Sequence, residues 1–426
     1  MNTSEASNHT IVTTTKLFSI YIALLPILQY YKSPLSFFNM ATFLSVLFFV
    51  YFIINSRGKS ICSNQIKPII VYLVFITMNI LITTIKYNYS LKENALDYLR
   101  TVLLLSTVFM LGKSYFDYKY AIAALEKVLI FSSFFMVVQL ICIYILHHPI
   151  TGNISFLVSN TGYQTAKERV SGFYMEPAAY AQSAILYLSL SIFEKKSIDS
   201  NKYKIIGIIA FGIILSGSGQ GYIFAGMLLL MWFFYNMFFS GLTKGKILKG
   251  VGLIVLILIV GIAVSRTNYG QYVLSRILPD ESSSVFNRFG GSALSGRTYT
   301  NKLFYDLSST QQFWGVGFGR ADTVTRGYYV NSLFYYLIEC GYISILIWTL
   351  MIFSVFVKGD TGVRAFSIIY LLMFYFTGCG RPMMICYYFM FLIFKTKIEC
   401  NYQENLNGKE SGKDQMNERS RINYCQ

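Results

Sequence analysis

Long apolar runs separated by short polar segments make up most of this chain. A run of roughly 17 to 25 mostly apolar residues is the length that crosses the hydrocarbon core of a bilayer. Counting such runs, including several shorter ones with loose boundaries, predicts about twelve transmembrane helices. They lie at residues 17–31, 36–54, 68–85, 96–111, 128–146, 177–193, 205–217, 222–239, 250–265, 331–357, 365–377 and 383–394.

The composition of the chain indicates the same class. Of its 426 residues, 54% are hydrophobic, 17% are aromatic and only 13% are charged. A soluble domain carries about 25% charged residues, so this chain has too few for a surface that faces water. The predicted fold class is therefore an all-α polytopic membrane protein, with the lipid bilayer as its surroundings.

The distribution of basic residues predicts the orientation in the membrane. The formal net charge of +16 would suggest nucleic acid as a partner of a soluble chain. Here most Lys and Arg residues lie in alternate short loops, as membrane orientation alone requires, so no nucleic-acid partner is expected. Because basic loops stay inside, both termini are predicted to be cytoplasmic. The two long loops, 147–176 and 266–330, then face outward, since long loops cross largely regardless of charge.

The polar ends of the chain set the predicted domain limits. Residues 1–16 are rich in Ser and Thr and are predicted to form a cytoplasmic tail. The apolar run that follows lacks a small-residue cleavage site, so we interpret it as a retained first span and not as a signal peptide. The membrane domain covers 17–396, and residues 397–426, with few apolar side chains, are predicted to be a disordered cytoplasmic tail.

The cysteines do not suggest a metal site or a disulfide framework. There are seven, an odd number, mostly in apolar or tail segments and without the spacing of zinc ligands. We expect neither a metal nor another cofactor.

The second long loop, 266–330, has an excess of arginine beside the bilayer. A guanidinium group binds phosphate through two charge-assisted hydrogen bonds at once. The loop is therefore interpreted as the polyanion-binding half of an active site. Its basic residues are Arg266, Arg276, Arg288, Arg297, Lys302, Arg320 and Arg326, against the acidic residues Asp280, Glu281, Asp306 and Asp322.

The first long loop ends in the segment RVSGFYMEPAAYA, from Arg169 to Ala181. Pro177 is suited to the first turn of a helix, which puts Glu176 at the helix N-terminus, where the backbone N–H groups point outward. Arg169 lies in the loop over that N-terminus, so a guanidinium group and a carboxylate can converge at the outer surface. Spacing alone leaves open a second interpretation, an interfacial salt bridge with a helix cap.

Two glycine-rich segments have different expected roles. The glycines of SGSGQG, at 217–221, are predicted to make a tight outer turn between two spans. Those of GVGFGR, at 315–320, are expected to make a flexible turn through which backbone approaches a ligand. This is not a nucleotide fingerprint, because no strand and helix flank it. Nearby aromatic residues fit either stacking on sugar rings or an interfacial belt; they are Phe313, Trp314, Phe318, Tyr328 and Tyr329.

Taken together, these motifs resemble those of the O-antigen and capsular polysaccharide polymerases, in the superfamily that also contains the O-antigen ligases. The resemblance rests on Arg-x-x-Gly-Phe-x-x-Glu-Pro at 169–177, Ser-Gly-Arg at 295–297 and Gly-x-Gly-x-Gly at 315–319. Asn331–Ser332 and Glu-x-Gly-x-Ile-Ser at 339–344 complete the set. The hydropathy layout is similar over nearly the whole chain, and the motifs are similar only in 169–181 and 295–344.

The resemblance implies a GT-C-like membrane glycosyltransferase in the bacterial cytoplasmic (inner) membrane. Its substrates would be undecaprenyl diphosphate-linked oligosaccharide repeat units, joined at the outer face into lipopolysaccharide or another surface polysaccharide. The growing glycan would be the donor, and a hydroxyl group of a single lipid-linked unit the acceptor. Since the leaving group is already a diphosphate, no nucleotide or metal is needed. A chain-length regulator would be a possible partner.

The resemblance also assigns roles to individual residues. Arg169 and Arg297 would contact the diphosphate, and Glu176 would activate the acceptor hydroxyl or, alternatively, orient Arg169. The remaining residues would bind substrate; they are Arg288, Arg320, Arg381, Asn331 and Tyr299.

Two other functions are consistent with parts of the sequence. Ligases in this superfamily carry a histidine at the position matching Asn331, so its absence favours a polymerase, although His147 and His148 remain alternative bases. A flippase for the same lipid-linked unit would place ionisable residues within its spans. Here the spans are almost uncharged, and Arg100 and Glu339 are the clearest exceptions.

Overall fold

The computed structural model describes residues 3–35, 38–55, 67–89, 91–158, 170–193, 200–239, 302–326, 330–377 and 381–396. Regular structure within these ranges is helical, and the extended pairings there are two isolated bridges, Tyr31 with Val158 and Lys32 with Asn39. The predicted window 250–265, most of the loop 266–330 and the tail 397–426 lie outside the described residues.

The described helices fall into two groups along the chain. The first group is α1 (Thr3–Leu28), α2 (Met40–Asn55), α3 (Lys67–Tyr87), α4 (Leu91–Tyr115), α5 (Tyr118–Tyr144), α6 (Pro177–Ile192), α7 (Ser200–Leu215) and α8 (Gly219–Phe239). The second is α9 (Ser309–Trp314), α10 (Ala321–Thr325), α11 (Ser332–Lys358), α12 (Thr361–Phe376) and α13 (Pro382–Thr396). A short 3₁₀ helix, Ser155–Leu157, lies in the loop after α5.

Four of the described helices contain apolar segments long enough to cross a membrane: Ile69–Tyr87, Ala95–Gly112, Tyr118–Tyr144 and Ser332–Lys358. Shorter apolar segments occur at Val12–Leu28, Met40–Ile54, Thr361–Phe374 and Pro382–Thr396. The predicted class, an all-helical membrane protein, is confirmed at this level.

The outward faces of the long helices are apolar, as a lipid environment requires. On α3, Val74 and Ile85 are exposed, whereas Tyr72 on the opposite side is buried. On α11, Phe353 is exposed, whereas Trp348 is buried and packs on Phe374 of α12 with ring centroids 4.6 Å apart. Continuous apolar surface of this extent is unfavourable in water and favourable in hydrocarbon.

The first helix begins earlier than the sequence predicts. Residues 1–16 are predicted to be a tail, but α1 starts at Thr3 and continues to Leu28. Once the apolar run has nucleated a helix, adding residues at its end costs little, which accounts for the extension. The helix ends before Tyr31 because Lys32 leaves it to donate its N–H to the carbonyl of Leu157, at 2.6 Å.

Helix α6 occupies the centre of the bundle. It contacts α5, α7, α8 and α12, and its residues from Ala179 to Ser191 are all buried. A helix that is buried on every side has no lipid-facing stripe, which agrees with its small and hydroxylated side chains. The residue that begins α6, Glu176, therefore lies at the end of the bundle axis. We call the end at which α6 begins the Glu176 end.

Candidate functional site

The eight residues singled out in the sequence divide equally between described and undescribed parts of the chain. Arg169, Arg288, Arg297 and Tyr299 lie outside the described residues. Of the other four, Glu176, Asn331 and Arg381 each precede the first residue of a helix, and Arg320 follows the glycine-rich segment.

Glu176 is the N-cap residue of α6, as its sequence context predicts. Its backbone is extended (φ −131°, ψ 142°), Pro177 occupies the first helical turn, and the Glu176 side chain makes no capping hydrogen bond to the helix. The carboxylate is half-buried next to the outward-pointing N–H groups of α6. Burial raises the pKa of the nearby Tyr174 hydroxyl, so this neighbour remains protonated and is a poor base.

The turn before Glu176 is held by an amide side chain of α5. The Gln139 Oε1 atom accepts hydrogen bonds from the N–H groups of Ser171 and Gly172, at 3.3 and 3.0 Å. Its Nε2 atom donates to the carbonyl of Ile150 in the preceding loop, at 3.2 Å. Gly172 has a φ of +62°, and a Cβ atom there would lie 2.8 Å from the carbonyl oxygen of Ser132. Only glycine therefore fits at position 172. This turn fixes the backbone that leads into Glu176.

Arg381 lies at the same end of the bundle as Glu176, because α6 and α13 are parallel neighbours. The Tyr388 hydroxyl of α13 donates to Oε1 of Gln182 in α6 at 3.3 Å. Further along both helices, Nζ of Lys395 donates to the carbonyl of Leu190, so the two helices run in the same direction. Gln182 is six residues after Glu176, and Tyr388 is seven residues after Arg381. At 1.5 Å per residue, both helices start about 10 Å beyond the first of these bonds. The Arg381 side chain is exposed there.

Asn331 is the N-cap residue of α11, and its side chain has a structural role. Its Oδ1 atom accepts from the N–H of Phe334 at 2.9 Å, while the N–H and hydroxyl of the next residue, Ser332, both donate to the carbonyl of Thr377, each at 2.8 Å. Thr377 ends α12, and its hydroxyl oxygen accepts from Nε2 of Gln182 at 3.4 Å. The start of α11 and the end of α12 are thereby joined to the Glu176 end.

The second glycine-rich segment, residues 315–319, packs tightly on a break in α11; we call it the glycine turn. Its N–H groups at Val316 and Gly317 donate to the carbonyls of Ile338 and Glu339, at 2.8 and 2.9 Å. Two residues further along α11, Gly341 has a non-helical backbone (φ 68°, ψ −169°). The sequence predicts one continuous span here. The break is stable because the turn supplies donors for carbonyls that the interrupted helix leaves unpaired.

The glycines of this turn are required for its contact with α11. A Cβ atom on Gly315 would lie 2.1 Å from the Glu339 carbonyl oxygen, and one on Gly341 would lie 2.1 Å from that of Phe313. Gly315, Gly317, Gly319 and Gly341 all have positive φ. In the structure these glycines let the backbone of the turn approach the backbone of α11. The sequence predicts instead a flexible turn whose backbone approaches a ligand.

Two buried side chains fix the turn in place. Asn79 of α3 donates from Nδ2 to the Trp314 carbonyl at 2.6 Å and accepts at Oδ1 from the Phe318 N–H at 3.0 Å. Glu339 of α11 accepts at Oε1 from the N–H of Gly319, at 3.0 Å. Both are almost fully buried. Glu339, expected from the sequence to be an unusual charge within a span, therefore accepts a hydrogen bond from a backbone N–H of the turn.

Arg320 follows the turn and is largely buried. Its guanidinium carbon lies 3.7 Å from the ring centroid of Tyr89, which is in the short connection between α3 and α4. Stacking on an aromatic face fixes the plane of a guanidinium group and leaves its N–H groups directed from the edges. The side chain is 7% exposed.

The other residues noted in the sequence have separate positions. Arg100 pairs with Asp97 on α4, with nitrogen and oxygen 2.8 Å apart at an exposed site. His147 and His148 are exposed just after α5, and no group of three or more metal-ligating side chains occurs in the described ranges. The turn between α7 and α8 is confirmed, with Gly217 at a φ of +61°. Among the aromatic residues near the glycine turn, Phe318 is buried and Phe313 is exposed; Tyr328 and Tyr329 are not among the described residues.

Sequence reasoning did not identify Asn79, Gln139 or Gln182. Each is an amide side chain within an apolar run, and each is buried and hydrogen-bonded in the structure. An amide group in a span is unfavourable without a partner, so its presence alone could have indicated a contact. Its partner could not be inferred, since the bonded residues are distant in sequence.

Comparison with protein-family models gives no match, and comparison with curated proteins gives no match either.

Proposed function

We propose that this protein is a membrane glycosyltransferase that polymerises surface polysaccharide from undecaprenyl diphosphate-linked repeat units. In this proposal the chain has about twelve spans, with both termini in the cytoplasm and the loops 147–176 and 266–330 outside. The Glu176 end then faces the outer surface of the bacterial inner membrane. The substrate class comes from the motif resemblance described above.

The observation that supports the proposal best is the pairing of α6 with α13. Because these helices are parallel neighbours, a carboxylate and a guanidinium group, Glu176 and Arg381, begin them at the same end. The N-terminal N–H groups of α6, α13 and α11 add partial positive charge at this end. Such an end suits a reaction in which a hydroxyl group loses a proton and a diphosphate departs.

The proposed reaction transfers the growing glycan to a single lipid-linked unit. The acceptor hydroxyl oxygen forms a bond with the anomeric carbon of the donor sugar while the bond from that carbon to the diphosphate oxygen breaks. Glu176 takes the hydroxyl proton, and undecaprenyl diphosphate leaves with the bonding electron pair. Arg169 and Arg297, with Arg288, Arg320 and Arg381, stabilise the negative charge that develops on it. Tyr299 and Asn331 are assigned to the sugar.

Part of this assignment has a cost. The positive end of a helix stabilises an ionised carboxylate and so weakens Glu176 as a base. Asn331 uses one lone pair of its side-chain oxygen to cap α11, which fixes the side chain and leaves its amide nitrogen as the donor for a sugar hydroxyl.

The glycan profile of a deletion strain tests the proposal. A polymerase deletion leaves surface lipid bearing one repeat unit and removes the ladder of longer chains. Full-length glycan retained on undecaprenyl diphosphate would identify a ligase instead, and single units retained on the cytoplasmic side would identify a flippase. A plasmid copy of the gene must restore the ladder, with a chain-length regulator left intact in both strains.

A further inference from the structure

Asn79 bonds to both ends of the glycine turn from a different helix. Its amide nitrogen binds the carbonyl of Trp314, just before the first glycine, and its amide oxygen binds the N–H of Phe318, just before the last. Asn79 is 1% exposed. A buried amide group is costly unless both its donor and its acceptor are used, and here both are used on the turn.

The turn depends on such external contacts for its shape. Glycine has more backbone freedom than any other residue, so a turn with three of them is not fixed by its own sequence. The contacts that hold it come from α11, through the backbone carbonyls of Ile338 and Glu339 and the side chain of Glu339, and from α3, through Asn79. The contribution from α3 is made by a side chain and can therefore be removed by substitution.

Arg320 is the first residue after this turn. Its N–H donates to the carbonyl of Gly317 at 3.1 Å, so its backbone position follows the turn. Its guanidinium group stacks on Tyr89, only ten residues after Asn79 in the chain. Asn79 therefore fixes the Arg320 backbone through the turn, and Tyr89, just after the end of α3, fixes its guanidinium group.

We propose that Asn79 is a positioning residue: by fixing the glycine turn it sets where the Arg320 guanidinium group lies and hence how the diphosphate of the lipid-linked unit is held. This inference rests on the proposed function. Asn79 itself contacts the turn, and its effect on the reaction passes through Arg320.

The variant Asn79→Leu tests this inference. Leu has the same branched shape as Asn, with larger methyl groups in place of the amide oxygen and nitrogen, and it removes both hydrogen bonds to the turn. Full-length protein in lipid nanodiscs is compared by hydrogen–deuterium exchange, and we expect faster exchange in residues 313–321 and unchanged exchange in α12. Transfer is then measured with undecaprenyl diphosphate-linked repeat units from the host strain. We expect kcat/KM to fall about 10- to 100-fold, the range that small displacements of binding groups produce.

A double variant separates positioning from a general loss of structure. If Asn79 acts through Arg320, adding Asn79→Leu to Arg320→Ala lowers kcat/KM little further, because the group that Asn79 positions is already absent. Additive losses would contradict the positioning role. Asn79→Ala serves as the second variant if Asn79→Leu does not accumulate in the membrane, since it removes both hydrogen bonds without adding volume or charge beside the turn.

Thr77→Val is the matched control on the same helix. The Thr77 hydroxyl bonds to the carbonyl of Leu73 and to the hydroxyl of Tyr98 on α4, at 2.7 Å each, and the glycine turn is not involved. We expect this variant to have normal exchange in 313–321 and normal transfer.

Two further results would overturn the inference. Unchanged exchange in 313–321 in both Asn79 variants would mean that Asn79 does not hold the turn, and faster exchange with full transfer would mean that the turn does not position Arg320. Failure of the proposed function is distinguishable: a deletion strain would then keep the ladder or show the ligase or flippase profile, while the exchange comparison still reports whether Asn79 holds the turn.

Discussion

The hydroxyl group of Tyr388 and the side-chain carbonyl of Gln182 form a hydrogen bond of 3.3 Å between α13 and α6. Both residues are buried, and the bond lies one to two turns from the residues that begin these helices, Glu176 and Arg381. Gln182 also contacts Thr377, where α12 ends. This amide group therefore connects three helices whose ends carry or adjoin candidate site residues.

Removing this bond should lower stability modestly. In Tyr388→Phe the ring is kept and only the donor is lost, while Gln182 keeps its contact with Thr377. We expect a loss of about 0.5–1.5 kcal/mol in the free energy of unfolding, the usual net value of one hydrogen bond. Denaturant unfolding in detergent measures it, with Tyr203→Phe on the exposed side of α7 as the control. Equal unfolding curves for Tyr388→Phe and the wild type would contradict a stabilising role.

The break in α11 should not tolerate a side chain. In Gly341→Ala the added Cβ atom lies 2.1 Å from the Phe313 carbonyl oxygen and the residue keeps a φ of +68°. The backbone strain alone costs about 1–3 kcal/mol, and the clash adds to it. We expect a lower unfolding temperature and less protein in the membrane.

Gly226→Ala provides the control for this change. A Cβ atom at Gly226 of α8 meets nothing within 4 Å. Ala is favoured over Gly in a helix, so this variant should be as stable as the wild type or more stable, by up to about 1 kcal/mol. If both variants unfolded at the same temperature, the tight contact between the glycine turn and α11 would be wrong.

The sequence predicted the elements whose signals are local. Apolar runs gave the position of α11 to within a residue at each end, and Pro177 gave the start of α6 with Glu176 as its N-cap. These features depend on helical periodicity and on helix-end preferences, which act over a few residues.

The break at Gly341 could not be predicted, since a single glycine costs only about 1 kcal/mol in a helix and many spans contain one. The break depends on the glycine turn, which donates hydrogen bonds to the carbonyls of Ile338 and Glu339. The same holds for Asn79, whose bond to Phe318 joins residues 239 positions apart in the chain. Pairings of this kind depend on tertiary structure, and one sequence contains no signal for them.

Loss of either main arginine should abolish chain extension. Arg169→Ala and Arg297→Ala remove a group that we assign to the diphosphate, so the glycan ladder should disappear while membrane abundance stays normal. Arg→Lys at either position should also impair extension, because an ammonium group cannot form the two parallel hydrogen bonds of a guanidinium group. Glycan profiles of complemented deletion strains measure both effects.

The control for the arginine variants is Arg100→Ala. Arg100 pairs with Asp97 at an exposed position, and such pairs contribute little to stability. We expect a normal ladder. Full extension by both Arg169→Ala and Arg297→Ala would remove these residues from the site.

The role of Glu176 can be resolved with two substitutions of different chemistry. Glu176→Gln keeps the size and the hydrogen-bonding shape and removes the base, so loss of proton transfer should lower kcat by about 100-fold or more. Glu176→Asp keeps the charge and shortens the side chain, so it should retain more activity than Gln if the carboxylate takes the proton. If Glu176 only orients Arg169, Gln can still accept a hydrogen bond from the guanidinium group, and transfer should fall much less. Single-turnover transfer in nanodiscs measures the rate constant of the chemical step, and a near-normal rate constant in Glu176→Gln would rule out the base and leave the orienting role.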